Sequence, residues 1–355
     1  MDHADQLGTW LAGVLGADDS VAIEVGAQNE EAGFSSETTI YTATWTAGGQ
    51  PHEQGQVLKR EPTGVTIFKD TSVARQVRAM QAVADNSKVP IPPIVGLETD
   101  PSVLGAPFYV MQAVDGRVPP DNPPFSTGGW IFEASEADQR RLHTSGLDAV
   151  ADLHAIDPQV FGFLDRPHFG DPGPDQMLGQ WEDMLAWGRA DEPLTIIDHG
   201  MAWLREHQPD DASAHDLRLS WGDSRISNII WQDFEPAAII DWEMAELAPP
   251  AADVVWYRHI DRTMESATDS GRLPGFLDLD DIVAHYEART GRTLTNLRWY
   301  EGYAAMRFAV VMMRIARRMV EQYDLDPNLM HNNLGVRALA EVLDIEGPGE
   351  PGPLA

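Results

Sequence analysis

The alternation of apolar and polar residues changes period part-way along this chain. Residues 38–49, Thr-Thr-Ile-Tyr-Thr-Ala-Thr-Trp-Thr-Ala-Gly-Gly, set Ile40, Thr42 and Thr44 against Tyr41, Ala43 and Trp45. A period of two predicts a strand with one buried face, and Gly48-Gly49 supplies the turn of a hairpin. Residues 55–61, which include Val57-Leu58-Lys59, read as the returning strand. Val73, Val77, Met80 and Ala84 then recur at helical spacing, with Ser72 placed as N-cap. Residues 106–114, Ala-Pro-Phe-Tyr-Val-Met-Gln-Ala-Val, read as a buried strand. A Pro-rich run over 115–125 marks a linker or hinge. Ahead of all this, Asp5–Leu15 is amphipathic.

Beyond the hinge the period is helical. Leu142, Val150 and Leu153 lie on a helix over 135–156 with an acidic first turn. Further helices are expected near 176–190, 195–207, 280–290, 295–323 and 334–344. Between them, residues 228–241 look like two short strands around a turn. The expected architecture is α+β and bilobal. A small β-rich lobe covers 1–114, a larger helical lobe covers 115–345, and a frayed tail covers 346–355.

Composition narrows the function. A chain of 355 residues is too long for one comfortable core, which agrees with two lobes. It has no cysteine, so disulfides, thiolate metal sites and thiol nucleophiles are excluded. That usage suits a reducing cytoplasm. The first twenty residues are acidic and lack a basic-then-apolar pattern, so no signal peptide is expected. The most apolar late stretch, 304–320, is broken by Arg307, Arg314, Arg317 and Arg318, so no membrane span is expected. The net charge of −31 repels nucleic acid and anionic membrane and attracts cations. Lysine is rare, and Lys59 sits on a predicted strand.

The polar residues of 219–246 are more than the local fold needs. Asp223 and Asn228 flank a short loop, and Asp241 ends the apolar run Ala237-Ala238-Ile239-Ile240. Asp223 or Asn228 alone would be read as a turn residue or cap. Together they suit phosphoryl transfer. Mg²⁺ takes hard oxygen ligands, usually one or two carboxylates completed by substrate phosphates. Asp241 and Asn228 can supply a carboxylate and an amide oxygen. Asp223, five residues ahead of Asn228, can take a proton from an attacking hydroxyl, and Arg225 can offset charge on a transferring phosphoryl group. An aspartate, an asparagine five residues on, and a second aspartate after a hairpin form the base-and-metal arrangement of kinases.

At this point the sequence resembles a family. Trp-Gly-Asp-Ser-Arg-Ile-Ser-Asn (221–228) followed by Ile-Ile-Asp-Trp-Glu (239–243) is similar to the aminoglycoside phosphotransferase family of small-molecule kinases. Residues 33–45, Val57–Glu61, 150–157 and 248–256 add to the likeness, which covers most of the chain. The Trp-Gly-Asp form resembles a mycobacterial subgroup assigned to that family. The resemblance implies a protein-kinase-like fold with ATP, or GTP, in the cleft and Mg²⁺ on Asn228 and Asp241. It implies Lys59 on the nucleotide phosphates and Ser35 and Ser36 in the phosphate loop. The nucleotide base would lie against Met111, Gln112 and Val114. The acceptor would be a small-molecule hydroxyl compound. An aminoglycoside, and with it antibiotic resistance, is one implication. A metabolic kinase for a hydroxyacyl thioester or other cellular alcohol is the alternative, and a nucleotide-binding pseudokinase is a third reading.

Three departures stand out. Trp221 replaces the usual histidine and is expected to do its packing. Gln76 replaces the glutamate that normally pairs with the lysine and is expected to face Lys59. The phosphate loop retains only Gly33. Asp253 and His154 are expected to be structural, and Trp181, Trp187 and Trp203 to be core residues sooner than acceptor contacts.

Overall fold

The computed structural model describes residues 3–26, 37–189, 191 and 193–349. An N-terminal sheet is followed by a mainly helical remainder. The sheet has five strands in the order β1-β2-β3-β5-β4, all neighbours antiparallel. They are β1 (Ala22–Val25), β2 (Glu37–Ala47), β3 (Gln50–Arg60), β4 (Ile94–Glu98) and β5 (Phe108–Gln112). The β2–β3 hairpin turns at Gly48 and Gly49, whose φ values of +57° and +74° require the missing Cβ. The Asp18 carboxylate accepts from both of their backbone N–H groups, at 3.1 and 2.9 Å.

The alternation in β5 explains how the sheet is covered. Phe108 and Val110 join a small core with Leu7 and Leu11 of α1 (His3–Leu15) and with Tyr41 and Ala43 of β2. Tyr109 and Met111 face the other way, into the main core with Val73, Val77 and Met80 of α2 (Val73–Asn86). Burying Leu7 and Leu11 contributes roughly 2 kcal/mol each. Lys59 opposes Tyr109 in the ladder, so it shares the inward face. As expected, the Ser72 side chain caps α2, accepting from the Arg75 backbone N–H at 3.3 Å.

Strands give way to helices after the Pro-rich stretch. These are α3 (Glu136–His154), α4 (Pro174–Arg189), α5 (Thr195–Glu206), α6 (Ala251–Thr268), α7 (Leu279–Thr290), α8 (Leu297–Tyr323) and α9 (Leu334–Leu343). Two short ladders interrupt them. One pairs β6 (Arg218–Ser220) with β9 (Glu246–Ala248), and the other pairs β7 (Ile229–Gln232) with β8 (Glu235–Ile239). The predicted hairpin over 228–241 is therefore present. Helix α6 has no counterpart in the sequence reading. It is buried on nearly every face, from Val254, Val255 and Trp256 to His259, Ile260 and Asp261, so no apolar stripe marks it.

The long helix α8 packs against α4, α5, α6 and α9. Arg314 on this helix donates to Thr66 O at 2.6 Å and Gly188 O at 3.2 Å, tying the segment ahead of α2 to the helical part. No described helix is long and apolar enough to cross a membrane.

Candidate active site

The loop between β6 and β7 is built around one buried carboxylate. Asp253, at the start of α6, is fully buried. It accepts from Ser220 Oγ at 2.8 Å, the Trp221 backbone N–H at 2.8 Å, the Gly222 N–H at 3.0 Å and His154 Nε2 at 3.2 Å. Burial works against its charge, but the donors from His154, Ser220 and Gly222 prevail and hold its pKa below the ordinary carboxylate value. His154 Nδ1 reaches the Tyr286 hydroxyl at 2.8 Å. Asp253 and His154 are thus structural, as the sequence suggested. Gly222 has φ +87°, and a Cβ there would lie 2.1 Å from Met244 O, so no other residue fits without displacing the chain.

This frame presents Asp223. Its Oδ1 accepts from Trp256 Nε1 at 2.8 Å. Its Oδ2 accepts from Asn228 Nδ2 at 2.6 Å and from Arg225 Nε at 3.3 Å. Asn228 Nδ2 also donates to Asp223 O at 3.1 Å, so its amide nitrogen is directed at Asp223 and Oδ1 is its remaining polar atom. Arg225 reaches both oxygens of Asp121 at 2.8 Å through Nη1. Burial disfavours its charge, but Asp223 and Asp121 raise its pKa above the usual value.

Asp241 follows β8 with φ +59°. Its carboxylate is ion-paired with Lys59 of β3, 182 residues away in sequence. Burial opposes ionisation of both groups. The pair overcomes it, so the Lys59 pKa lies above and the Asp241 pKa below its ordinary value. Trp221 is fully buried, and its Nε1 donates to Ile240 O at 3.0 Å and Asp241 O at 3.2 Å. The indole therefore packs behind the loop and also ties it to the Asp241 backbone.

The structure thus brings together Lys59, Asp223, Arg225, Asn228 and Asp241. Gln76 is buried on α2, as expected, but no hydrogen bond joins it to Lys59 among the described residues; Asp241 holds the lysine instead. Met111 is buried opposite Val57. The Gln112 N–H donates to Pro93 O and the Ala113 N–H to Gly55 O, both at 2.9 Å, and half-buried Val114 follows. Ser35 and Ser36 lie outside the described residues. Sequence reasoning missed Trp256 and Asp121, which hold Asp223 and Arg225 from remote segments with no local pattern.

A cavity of about 490 Å³ adjoins the loop. It reaches from Phe68 and Arg75 to Arg166, Trp181, Glu243 and Arg307. Arg307 connects it to the site, donating from Nη2 to Gly222 O at 2.7 Å with its guanidinium 4.4 Å from the Trp256 ring centroid. The negative net charge of the chain does not carry over to this cavity, whose lining is mixed in sign. Lys69, Arg75, Arg166 and Arg307 share the lining with Asp70, Asp183, Glu243 and Glu246. Trp181 belongs to both the core and the cavity wall.

The donor set fits Mg²⁺. Asp241 offers a carboxylate and Asn228 an amide oxygen, and such an ion commonly completes its shell with phosphates and water. Among the described residues no group of three or more His, Asp or Glu forms a self-sufficient metal cage.

Known proteins share this fold. A protein of Ralstonia eutropha JMP134, assigned provisionally to the aminoglycoside phosphotransferases, has a similar structure. Its TM-score is 0.66 at 23% identity, over 95% of each chain. The aminoglycoside phosphotransferase APH(4)-Ia, in ternary complex with ADP and hygromycin B, gives a TM-score of 0.53 at 13% identity, over 95% of this chain and 98% of that one. Acyl-CoA dehydrogenase family member 10 of Mus musculus is 30% identical over 204 residues, 56% of this chain and 18% of that protein. The chain spans less than two fifths of the length of the curated relatives it matches first. The fold is that of kinase-like phosphotransferases. The model of the phosphotransferase enzyme family (APH) matches residues 46–289, and the chain belongs to that family.

Proposed function

We propose that the chain is an ATP- and Mg²⁺-dependent O-phosphotransferase that acts on a hydroxyl of a small molecule. One observation carries this reading: Lys59 from the sheet meets Asp241, while Asp223 and Asn228 bond each other on the adjoining loop. Residues up to 114 serve the nucleotide, with its base against Met111, Gln112 and Val114 and its phosphates near Lys59. Residues 115–345 supply the chemistry and the acceptor site. Asn228 and Asp241 hold Mg²⁺, which supplies charge neutralisation on the phosphates. GTP is the alternative donor.

Asp223 receives the proton of the acceptor hydroxyl. Trp256 and Asn228 fix its two oxygens, so the carboxylate meets the substrate already oriented. Arg225, bound to Asp223 and Asp121, fixes the loop in addition to adding positive charge. Positioning and electrostatics supply most of the catalysis, because a loose phosphoryl transition state asks little covalent chemistry of the protein.

A hydroxyacyl thioester is the second reading for the acceptor, supported by relatives named as acyl-CoA dehydrogenases. The test is incubation with Mg-ATP and separate pools of aminoglycosides, macrolides and metabolic alcohols, read by mass spectrometry for gain of one phosphoryl group. Asp223→Asn should lower kcat by about 10²-fold or more with nucleotide affinity retained. Nucleotide binding without transfer to any pool would favour a pseudokinase, and unchanged turnover in Asp223→Asn would remove that residue from the mechanism.

A further inference from the structure

Arg307 is 1% exposed, and its Nε and Nη1 have no hydrogen-bond partner among the described residues. Its Nη2 alone is answered, by Gly222 O. Glu246 comes within 4.0 Å of Nη1, past hydrogen-bonding distance. Burial pushes the Glu246 pKa up, and Arg307 and Arg166 offset this only in part. A buried guanidinium with unanswered N–H groups is costly, and such groups need an acceptor. Arg307 lines the cavity, so an acceptor can come from there.

Arg166 lines the same cavity, and its guanidinium makes no ion pair or hydrogen bond among the described residues. Its cationic neighbours are matched: Arg75 pairs with Asp70, and Lys69 with Asp183 at 2.7 Å. Arg307 and Arg166 thus line the cavity without a carboxylate in hydrogen-bonding contact, the Arg307 guanidinium lying against the Trp181, Trp256 and Tyr303 rings. Phe68, Phe163, Phe169 and Met184 make much of the remaining lining apolar. A planar guanidinium is matched by the paired oxygens of a carboxylate or phosphate.

We infer that the acceptor is an anionic alcohol, whose carboxylate or phosphate is held by Arg307 and Arg166 and whose apolar body lies against the aromatic wall. This rests on the phosphotransfer reading. The hydroxyl proton passes to Asp223, the alcohol oxygen bonds to the γ-phosphorus, and the bond from that phosphorus to the β-bridging oxygen breaks. The products are a phosphate monoester and ADP.

The experiment is calorimetric titration of the full chain with ω-hydroxydecanoate, ω-hydroxydecyl phosphate, decanediol and kanamycin. The same probes are then offered with Mg-ATP. The two anionic probes separate a carboxylate from a phosphate. At least one should bind about tenfold or more tightly than decanediol, as expected for charge-assisted bonds. Arg166→Gln should erase that preference and leave Mg-ATP affinity unchanged. Arg307→Lys should weaken the same probe, and if it fails to fold, Arg166→Gln still decides. Equal binding of the diol and the anions, tighter binding of kanamycin, no binding of either anion, or a preference that survives Arg166→Gln overturns the inference. Transfer to kanamycin or the diol but to neither anion also overturns it and leaves phosphotransfer standing. Absence of transfer to every probe, with the anion preference intact, counts against phosphotransfer and supports the anion site.

Discussion

Replacing Asp253 should loosen the loop that carries Asp223. Four donors converge on its two oxygens: Ser220 Oγ and the Gly222 N–H on Oδ1, and the Trp221 N–H and His154 Nε2 on Oδ2. Asparagine keeps one acceptor oxygen and turns an NH₂ group toward the other pair. The Ser220 hydroxyl can rotate and the His154 ring can change tautomer, so either side chain can adapt. The backbone N–H groups cannot. Whichever way the amide is placed, Trp221 or Gly222 loses its acceptor in a fully buried site, at a cost of about 1–3 kcal/mol. Alanine removes all four bonds, for roughly 4 kcal/mol at about 1 kcal/mol each. Urea unfolding gives the stability loss, and hydrogen exchange reports the two amides directly. An Asp253→Ala protein within about 1 kcal/mol of wild type, with both amides still protected, would refute the idea that this carboxylate organises the loop. The sign of the pH dependence is also set. The folded pKa of Asp253 is depressed, so its contribution is present above the unfolded carboxylate pKa and is lost as pH falls through the folded value. Asp253→Asn should therefore flatten the acid limb of the stability curve.

Two further outcomes are expected. Asp241→Ala should abolish the Mg²⁺ dependence of nucleotide affinity, because it removes the carboxylate of the proposed metal pair; a metal titration that matches wild type would reassign the ion. Gly222→Ala should destabilise the fold or displace the loop, since its φ is +87° and its Cβ would strike Met244 O; unaltered stability and turnover would show that the backbone there relaxes freely.

Much of this architecture was legible because local signals and global structure agree. Gly48-Gly49 marks the hairpin, Ser72 caps α2, and the apolar spacing of residues 297–323 gives α8. Asp223, Asn228 and Asp241 likewise end near one another, because the loop and hairpin that join them are short. What stayed hidden depends on distant contacts. Helix α6 has too few exposed positions to show a stripe, and β6 and β9, of three residues each, are too short to show alternation. Trp256 reaches Asp223 across 33 residues, and Arg225 reaches Asp121 across 104. Gln76 was expected to face Lys59 because it stands where the family has the glutamate that pairs with the lysine, on the inward face of its helix. The stronger Coulombic partner, Asp241, comes from a segment that sequence adjacency cannot place.

The division of β5 between two cores also governs how this chain can change. Substituting one apolar residue for another at Phe108, Tyr109, Val110 or Met111 perturbs a single layer. Gaining or losing one residue within the strand would exchange the layers, sending Tyr109 toward α1 and Phe108 into the cleft beside Lys59. Drift in side-chain identity is therefore tolerated along β5, while a shift of reading by one position is not. Insertions would have to settle in the turn-rich 99–107 segment, which absorbs length without altering which residues face Lys59.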